Sequence, residues 1–373
     1  MKSQKKTPTS TKVVKGTGVS NRGRSLRLPK PQWLWLAGFI IFGGIGSYLL
    51  IRSFAATPET YSASSAPVTI ASWNTFVDNK TKLDKTVPAL MQTADIIGLQ
   101  EVHKTAQRSA IQKKLICAKC AYDGIMYKNK NTKKTIDPRG GYPIIWKRDL
   151  FERVDKLHVE KMAPKQEITK KIRFKARYAE WTILKDKRTG RSFIIINTHT
   201  YAKAEYQGKT RGYKKIDKAY KNQMAKLSKL ISKLQKSKNL PIFVIGDLNV
   251  DYRYDNGSVS YFPKSTLAPL GFESNWSTAK YPETDAVTGT APDEDVVASA
   301  SDEDMSEDAL QPDILGTLRV GAGGRIIDYV YAWNRSDVVF QTTSISNGTY
   351  GSDHAPVFAT YVIGSNQSTA LGN

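Results

Sequence analysis

From Pro67 onward, short apolar runs alternate with clusters of polar and turn residues. The runs are rich in Val, Ile, Tyr, Phe and Trp, and most are too short to be helices, which is typical of strands. They read VTIASW, DIIGLQEV, YPIIW, YAEWTIL, SFIIINTHT, PIFVIGDLNV, RIIDYVYAW and APVFATYVI. The pattern therefore predicts a strand-rich α+β domain over residues 67–364.

Two segments between these runs repeat apolar residues at helical spacing. The first is Lys82–Thr93, where Pro88 either lies in the first turn or weakens the prediction. The second, Lys218–Ser237, carries lysines on its other face, as a solvent-exposed amphipathic helix does. Its apolar positions are Met224, Leu227, Leu230, Ile231 and Leu234. The acidic residues 293–313 are predicted to form a surface loop.

The N-terminal region has a different pattern. Trp33–Ile51 is nineteen residues without a charge, and at about 1.5 Å per residue such a helix nearly spans a hydrocarbon core of roughly 30 Å. Residues 1–52 hold ten Lys and Arg and no Asp or Glu, and nine of the ten precede the apolar segment. This asymmetry predicts a single-pass signal anchor with the N-terminus in the cytoplasm and the domain outside. A cleaved signal peptide, ending in the small residues of 53–56, is the alternative and would make the protein secreted.

These patterns divide the chain into five parts. We predict a basic, disordered cytoplasmic tail over 1–32, the transmembrane segment over 33–51, a linker over 52–66, the folded domain over 67–364 and a tail over 365–373. The formal net charge is +22. It favours anionic partners such as nucleic acid or acidic lipid, although it also suits general solubility.

The chain has only two cysteines, Cys117 and Cys120. Outside the cytoplasm they could form a local disulfide, and two free thiols are the alternative. A zinc site would need further ligands, and no histidine lies within ten residues of this pair.

Amide, carboxylate and imidazole side chains follow several of the predicted strands. Such residues are disfavoured inside strands, so their positions suggest that strand ends converge at one mouth of a sheet sandwich. They are Asn74, Glu101, His199, Asp247, Asn249, Asp353 and His354, and Asp328 lies within its own run.

In order and context, these residues resemble a known superfamily. The motifs WN, LQEV, NTHT, IGDLN, IDYV and SDH are similar to those of the endonuclease/exonuclease/phosphatase superfamily. That superfamily includes deoxyribonuclease I-like nucleases, exonuclease III-like repair enzymes, neutral sphingomyelinases and inositol polyphosphate 5-phosphatases. The resemblance covers about residues 67–363, and NTHT and GDLN stand where the family usually has NTHL and GDFN. It implies a four-layer αββα sandwich and a metal-dependent phosphoric ester hydrolase.

The resemblance implies that Glu101, Asp353 and Asn74 bind or position a metal ion. Mg²⁺ is the expected ion, with Mn²⁺ or Ca²⁺ as alternatives. The residue types agree, because magnesium prefers one or two carboxylates together with water and substrate phosphate.

The catalytic roles also come from the resemblance. Asp247 would activate water and Asn249 would orient the phosphate; two residues apart on an extended segment, they would face the same side. His354 would contact the scissile phosphate as general base or acid, with its ring held by Asp328. His199 would lie on the other side of the phosphate as an acid or a stabiliser of the transition state.

The surrounding sequence bears on the substrate. Tyr201 and Tyr213 lie among many lysines, which is typical of a groove that stacks bases and follows phosphates. Solvated loops, here and in the basic stretch Lys128–Arg139, would have the same composition. Arg177 lies where nucleases of the family often carry a phosphate-contacting residue, or it is a surface arginine. His103 is expected at the rim.

We therefore expect a membrane-anchored nuclease outside the cytoplasm, monomeric and without an evident protein partner. A sphingomyelinase-type phospholipid phosphodiesterase is the alternative; the anchor supports it, but no apolar hairpin suited to entering lipid is apparent. An inactive binding module is a third hypothesis, and the retained carboxylates and histidines argue against it.

Overall fold

The apolar runs form the strands of two facing β-sheets. The computed structural model describes residues 65–76, 82–127, 138–168, 173–206, 211–279, 316–319 and 324–364, with the side chains of 138, 206 and 211–213 left undescribed. All of these residues belong to the unit Tyr61–Asn373.

The described residues contain strands, helices and short 3₁₀ turns. The strands are β1 (Ala66–Asn74), β2 (Ile96–Gln100), β3 (Tyr122–Ile125), β4 (Ile144–Lys147), β5 (Phe151–Arg153), β6 (His158–Ala163), β7 (Gln166–Glu167), β8 (Arg173–Phe174), β9 (Arg177–Asp186), β10 (Ser192–His199), β11 (Ile242–Asp247), β12 (Phe272–Ser274), β13 (Asp328–Trp333), β14 (Val338–Ile345) and β15 (Val357–Ile363). The helices are α1 (Leu83–Leu90), α2 (Thr105–Ala110, continued by a π turn over Ile111–Leu115), α3 (Arg211–Lys238), α4 (Pro263–Leu267) and α5 (Asn275–Thr278). Each of the eight predicted runs contains a strand, so those predictions are confirmed.

The two predicted helices are also present, with different ends. α1 is shorter than expected and contains Pro88 in its interior rather than in its first turn. α3 begins seven residues earlier than the predicted start at Lys218. α2 was not predicted, because its polar sequence TAQRSA has no apolar period of its own.

Each sheet has one parallel pair of strands at its centre. The first sheet has the order β14-β15-β1-β2-β4-β3, and only β1 and β2 run parallel. The second has the order β12-β13-β11-β10-β9-β5 with β6 also on β9, and only β10 and β11 run parallel. Both parallel pairs therefore present their carboxyl ends at one edge of their sheet.

The buried residues on the two faces of each sheet show how the layers are packed. On β1, Val68 and Ile70 belong to the core between the sheets, whereas Ala71 and Trp73 pack in a second core against α1 and α2. Alternate residues of a strand face opposite sides, so this sheet is covered on both faces. The predicted apolar face of α3 is buried against the other sheet. The result is an α+β fold with two mixed sheets facing each other and helices outside.

The predicted membrane segment 33–51 and the acidic stretch 293–313 lie outside the described residues. Within the described ranges, no helix combines the length and apolarity that crossing a bilayer requires.

A disulfide joins Cys117 and Cys120 just after the π turn, in agreement with the paired alternative. The loop is tied to the sheet by Arg148, which donates hydrogen bonds to the carbonyl oxygens of Cys117 at 2.7 Å and Ala118 at 3.0 Å. The cross-link thus fixes a short loop at the edge formed by β3 and β4.

Candidate active site

The predicted mouth lies where the two sheets present the ends of their parallel strands. β1 ends at Asn74 beside the end of β2, and Glu101 follows β2 directly. In the facing sheet, β10 ends at His199 beside Asp247, the last residue of β11. Four of the predicted residues therefore reach one edge of the sandwich from four strands.

Two antiparallel strands begin at the same edge. Asp328 is the first residue of β13 and pairs with Asp247 across the sheet. His354 lies just before β15, and its carbonyl oxygen accepts a hydrogen bond of 3.0 Å from the indole of Trp73 on β1. This hydrogen bond fixes the SDH motif to the WN motif, although the two lie at opposite ends of the domain's sequence.

The backbone at the mouth is unusual at two predicted residues. Glu101 has φ of 60° and Asn249 has φ of 54°, a left-handed conformation that few residues other than glycine adopt. The expectation of an extended Asp247–Asn249 segment was wrong, because β11 ends at Asp247 and the chain turns. The turn brings the Asn249 backbone N–H to Asp247 Oδ1, to which it donates at 2.9 Å, while the Asn249 side-chain amide donates to the Thr200 carbonyl oxygen at 3.2 Å.

Asp247 is the centre of the arrangement. Its Oδ2 accepts a hydrogen bond of 3.0 Å from the Asn74 amide. The same oxygen lies 3.4 Å from Nε2 of His199 and 3.8 Å from Nε2 of His354. The two imidazoles therefore flank a single buried carboxylate.

His354 is held in a charged state. Its Nδ1 lies 2.7 Å from Asp328 Oδ2, and both side chains are buried. Burial alone would lower the pKa of His354, but the negative charges of Asp328, Asp353 and Asp247 and the hydrogen bond that its Nδ1–H donates to Asp328 raise it to about 10. The imidazolium carries protons on both nitrogens, so Nε2–H is directed to the mouth.

His199 is held in the opposite state. Burial and the nearby positive charge of Arg177 keep its pKa well below the usual value. Arg177 Nη1 lies 3.2 Å from Nδ1 of His199, and because a guanidinium only donates, Nδ1 must be the unprotonated nitrogen. The remaining proton is then on Nε2, next to Asp247. Arg177 is itself buried, so the alternative of a surface arginine is wrong.

The carboxylates at the mouth are crowded. Burial, followed by the negative charge of Asp328, raises the pKa of Asp247 to about 7. Burial, with Glu101 among the contributing charges, also raises the pKa of Asp353. Asp247, Asp328 and His354 each offer a ligand atom, all within 4.8 Å of one another, and Asp328 Oδ1 has no hydrogen-bond partner within the described part of the chain. A set of crowded carboxylate oxygens suits a hard divalent cation.

The predicted ligands lie on different sides of this cluster. Glu101 Oε1 is 3.7 Å from Nδ1 of His199, and Asp353 Oδ1 is 3.8 Å from Nε2 of His354. The amide of Asn74 donates to Asp247, and its oxygen accepts the N–H of Phe76 at 3.0 Å. Asn74 therefore positions the central carboxylate directly.

A family model matches most of the residues that form this architecture. The family model described as "Endonuclease/Exonuclease/phosphatase family" matches residues 71–354. The chain belongs to the endonuclease/exonuclease/phosphatase family. The match begins on β1 and ends at His354, so it includes both halves of the mouth. This is a family of hydrolases, and a divalent metal generally takes part in its chemistry.

Solved structures agree on the fold. An endonuclease/exonuclease/phosphatase family protein of Bacteroides thetaiotaomicron has a TM-score of 0.51 and 19% identity, over 81% of this chain and 97% of that chain. A family member of Bacteroides vulgatus has a TM-score of 0.50 and 18% identity, over 80% and 99%. A mannosyl-6-phosphatase of Bacteroides thetaiotaomicron has the same TM-score and identity, over 79% and 100%. At these identities the likeness shows the fold alone. No curated protein matches the chain.

The proposed base-stacking role of Tyr201 is wrong. Its ring is fully buried, stacks on Phe174 with the ring centroids 4.7 Å apart, and directs its hydroxyl to the carbonyl oxygen of Pro164. A ring enclosed in this way belongs to the core beneath Arg177 and presents no face to a base. The side chain of Tyr213 lies outside the described residues.

His103 is not the rim residue that was expected. It is 6% exposed, and burial, together with the positive charges of Lys175, Arg177 and Arg108, lowers its pKa to about 3. The chain around Gly140 and Gly141 folds over it, which sequence spacing could not have indicated.

Several buried amides that support this family site were not predicted to take part. Gln100 donates 2.8 Å to Asn197 in the facing sheet, and Asn197 donates 2.9 Å to the Leu99 carbonyl oxygen. Gln223 on α3 donates 2.9 Å to the carbonyl oxygen of His199. Polar residues within or beside apolar runs, such as the Gln of LQEV, were the available signal.

Proposed function

We propose that this chain is a divalent-metal-dependent phosphodiesterase that hydrolyses nucleic acid outside the cytoplasm, anchored to the membrane by residues 33–51. The observation that carries the proposal is the pair of histidines on either side of Asp247, one with its Nδ1 on the Arg177 guanidinium and the other with its Nδ1 on the Asp328 carboxylate. Hydrolysis of a phosphodiester needs a group that accepts a proton from water and groups that offer protons to phosphate oxygens. This mouth contains both.

Asp247 is the group that acts on water. It is buried, and its pKa of about 7 suits a base that works near neutral pH. The Asn74 amide and the Asn249 N–H hold its two oxygens, so the carboxylate has one orientation. Asn249, placed next to it by its left-handed backbone, can direct its side chain to the same phosphate.

His354 acts on the phosphate. With Asp328 fixed on its Nδ1, the imidazolium directs Nε2–H to an oxygen of the scissile phosphate and stabilises the charge that develops there. His199 offers the Nε2–H of a neutral ring from the other side, and Arg177 on its Nδ1 prevents that ring from turning over. Asp247 accepts the proton of the attacking water, while the imidazole rings of His199 and His354 bind the phosphate oxygens.

Glu101 and Asp353, with Asn74 close by, would hold the metal ion. A bound Mg²⁺ neutralises charge on the phosphate oxygens and on the leaving oxygen. The crowding that raises the pKa of Asp353 is relieved when a cation shares the site.

The charge of the chain supports nucleic acid as the substrate, and the N-terminal sequence supports a location outside the cytoplasm. Residues 53–373 hold 46 Lys and Arg against 34 Asp and Glu, a net charge of +12, which favours a polyanionic substrate. Cationic side chains lie near the mouth at Arg108, Lys175 and Arg177. The anchor and the basic residues before it support an external domain. The disulfide between Cys117 and Cys120 is compatible with an oxidising environment.

A substrate panel tests the proposal. The purified full chain is incubated with plasmid DNA, RNA, sphingomyelin and a soluble phosphomonoester, each with Mg²⁺ and with chelator. We expect nicking or degradation of nucleic acid that chelator abolishes. His354→Ala should lower turnover by about 10³-fold or more, as loss of an essential catalytic group does, whereas Lys229→Ala on the outer face of α3 should have no effect.

Other outcomes would contradict the proposal in different ways. Turnover of sphingomyelin without nicking would identify a phospholipid phosphodiesterase, and turnover of the monoester alone would identify a phosphatase. No turnover of any substrate would favour the binding module. Equal turnover with and without chelator would contradict the metal dependence.

A further inference from the structure

The turn after β11 is held by groups from several parts of the chain. Asn249 has φ of 54°, and a residue other than glycine keeps that conformation only where its surroundings enforce it. Its backbone N–H donates to Asp247, and its side-chain amide donates 3.2 Å to the carbonyl oxygen of Thr200. Its own carbonyl oxygen accepts a hydrogen bond of 3.4 Å from Nη2 of Arg325. Two segments that are distant in sequence therefore help to hold this turn.

Arg325 is itself held by a carboxylate. Its Nη2 lies 2.7 Å from Oε1 of Glu205, and the two side chains are 24% and 10% exposed. The other oxygen of Glu205, Oε2, accepts the backbone N–H of Asp251 at 3.0 Å. Glu205 thus uses one oxygen on Arg325 and the other on the backbone two residues after Asn249. Because both oxygens are engaged and shielded from water, the pair has a defined geometry that an exposed ion pair lacks.

The ion pair lies where three segments of the mouth meet. Glu205 follows β10, Arg325 precedes β13, and the turn at Asn249 follows β11. The N–H of Leu248, just before Asn249, donates 2.9 Å to the carbonyl oxygen of Ile327, just before β13. Loss of the ion pair would therefore allow the turn to shift while the strands on either side of it stay paired.

We propose that Glu205 and Arg325 are positioning residues, which hold Asn249 so that its side-chain amide meets an oxygen of the scissile phosphate. The inference rests on the proposed function, in which Asn249 orients the phosphate, and adds the pair that orients Asn249. A primary amide has two N–H groups; one donates to Thr200, and the second donates to the phosphate. A donor displaced by about 1 Å loses most of its effect on the transition state, because a hydrogen bond is short and directional. The ion pair thus acts on the rate through Asn249.

A double-mutant cycle in the full chain tests this role, with a single-stranded oligonucleotide as substrate and Mg²⁺ present. Glu205→Gln keeps the size of the side chain and removes its charge, so Arg325 is held less firmly. We expect kcat to fall by about tenfold and KM to change by less than about twofold, because alignment is lost in the transition state. In the Asn249→Ala background the same substitution should lower kcat by less than about twofold, since the group that the pair positions is absent.

Further variants separate positioning from stability. Glu205→Asp keeps the charge on a side chain one methylene shorter, so it should retain part of the hold on Arg325 and lose only about threefold in kcat. Asp337→Asn, which breaks an Arg335 pair whose side chains are 22% and 20% exposed, should leave kcat unchanged. Urea unfolding should show that Glu205→Gln lowers the midpoint equally with and without Asn249→Ala, because the ion pair is lost in each.

Three other results would contradict the proposal. An equal loss of kcat in both backgrounds would show a general structural effect and would overturn the positioning role. Unchanged kcat in Glu205→Gln, or an Asn249→Ala variant as active as the wild type, would also overturn it while leaving the nuclease intact. A wild-type chain that does not cleave the oligonucleotide would instead contradict the proposed function, and this role with it.

Discussion

At the scale of single residues, the rings of His199 and His354 lie 3.4 and 3.8 Å from the same oxygen of Asp247. Their environments differ because one ring has a guanidinium on Nδ1 and the other has a carboxylate. The positive charge of Arg177 disfavours protonation of His199, whereas the negative charge of Asp328 favours protonation of His354. The identity of the partner, rather than of the histidine, decides which ring is protonated.

Asp328→Asn tests this assignment through pH. In the wild type the pKa of His354 is raised to about 10, so the imidazolium persists until the pH rises through that value. Without the carboxylate, burial lowers the pKa, and the proton is lost at a lower pH. We expect the alkaline limb of kcat/KM to move to lower pH and activity at pH 8 to fall by about 100-fold, a size typical of proton donors.

The control for this variant is Asp337→Asn, which removes a carboxylate paired with Arg335 in the loop between β13 and β14, at the end of β13 opposite to Asp328. Its profile should match the wild type. An alkaline limb that stays in place in Asp328→Asn would contradict the role of Asp328.

At the scale of elements, the parallel pair of β10 and β11 brings His199 and Asp247 together. Thr198 and Gly246 are partners in the register one step earlier. Gly246 has φ of 148°, and a Cβ there would lie 1.9 Å from the Thr198 carbonyl oxygen. The glycine of GDLN is therefore required by the close approach of the two strands just before they end at the candidate catalytic residues His199 and Asp247.

Gly246→Ala should lower the free energy of unfolding by about 3 kcal/mol or more, because the overlap is with backbone that cannot rotate away. Gly190→Ala is the matched control. Gly190 also has positive φ, at 73°, but no atom lies within 4 Å of its added Cβ, so only the conformational cost of about 1 kcal/mol applies. Urea unfolding measures both. Equal destabilisation in the two variants would show that the strand approach has no special cost.

The same scale explains which elements the sequence could predict. Buried central strands such as β2 and β11 are apolar throughout and short, so composition alone identifies them. The edge strand β14 alternates half-buried and exposed residues in VVFQTTSI, and it is ordered mainly by pairing with β15. α2 has only Gln107 buried, and it is Ile111 and Leu115 of its π continuation that pack in the core beside the first sheet.

At the scale of the whole molecule, the N-terminal sequence predicts that the protein is anchored in a membrane. In cells that express the 41.5 kDa chain, we expect it in the membrane fraction. Protease added outside the cell membrane should digest the domain, because the charge asymmetry predicts that the basic N-terminus stays in the cytoplasm. Deletion of residues 33–51 should release the chain from the membrane and protect it from that protease.

Two results would change this picture. A shortened chain in the medium would identify a cleaved signal peptide and a secreted enzyme. A membrane-bound chain whose domain resists external protease would contradict the predicted orientation.

The sequence by itself determined the residues of the site and most of the strands. Motif order predicted Glu101, His199, Asp247 and His354, because the chemistry of each side chain and its position beside an apolar run are local properties. The structure alone decided which groups meet. Arg177 is 22 residues from His199, and the Gly-Gly pair that encloses His103 lies 37 residues along the chain. Tyr201 looked suited to bases by composition and proved to be core. Distances, burial and protonation depend on strand register and on the packing of one sheet against the other, and neither is written in any local stretch of sequence.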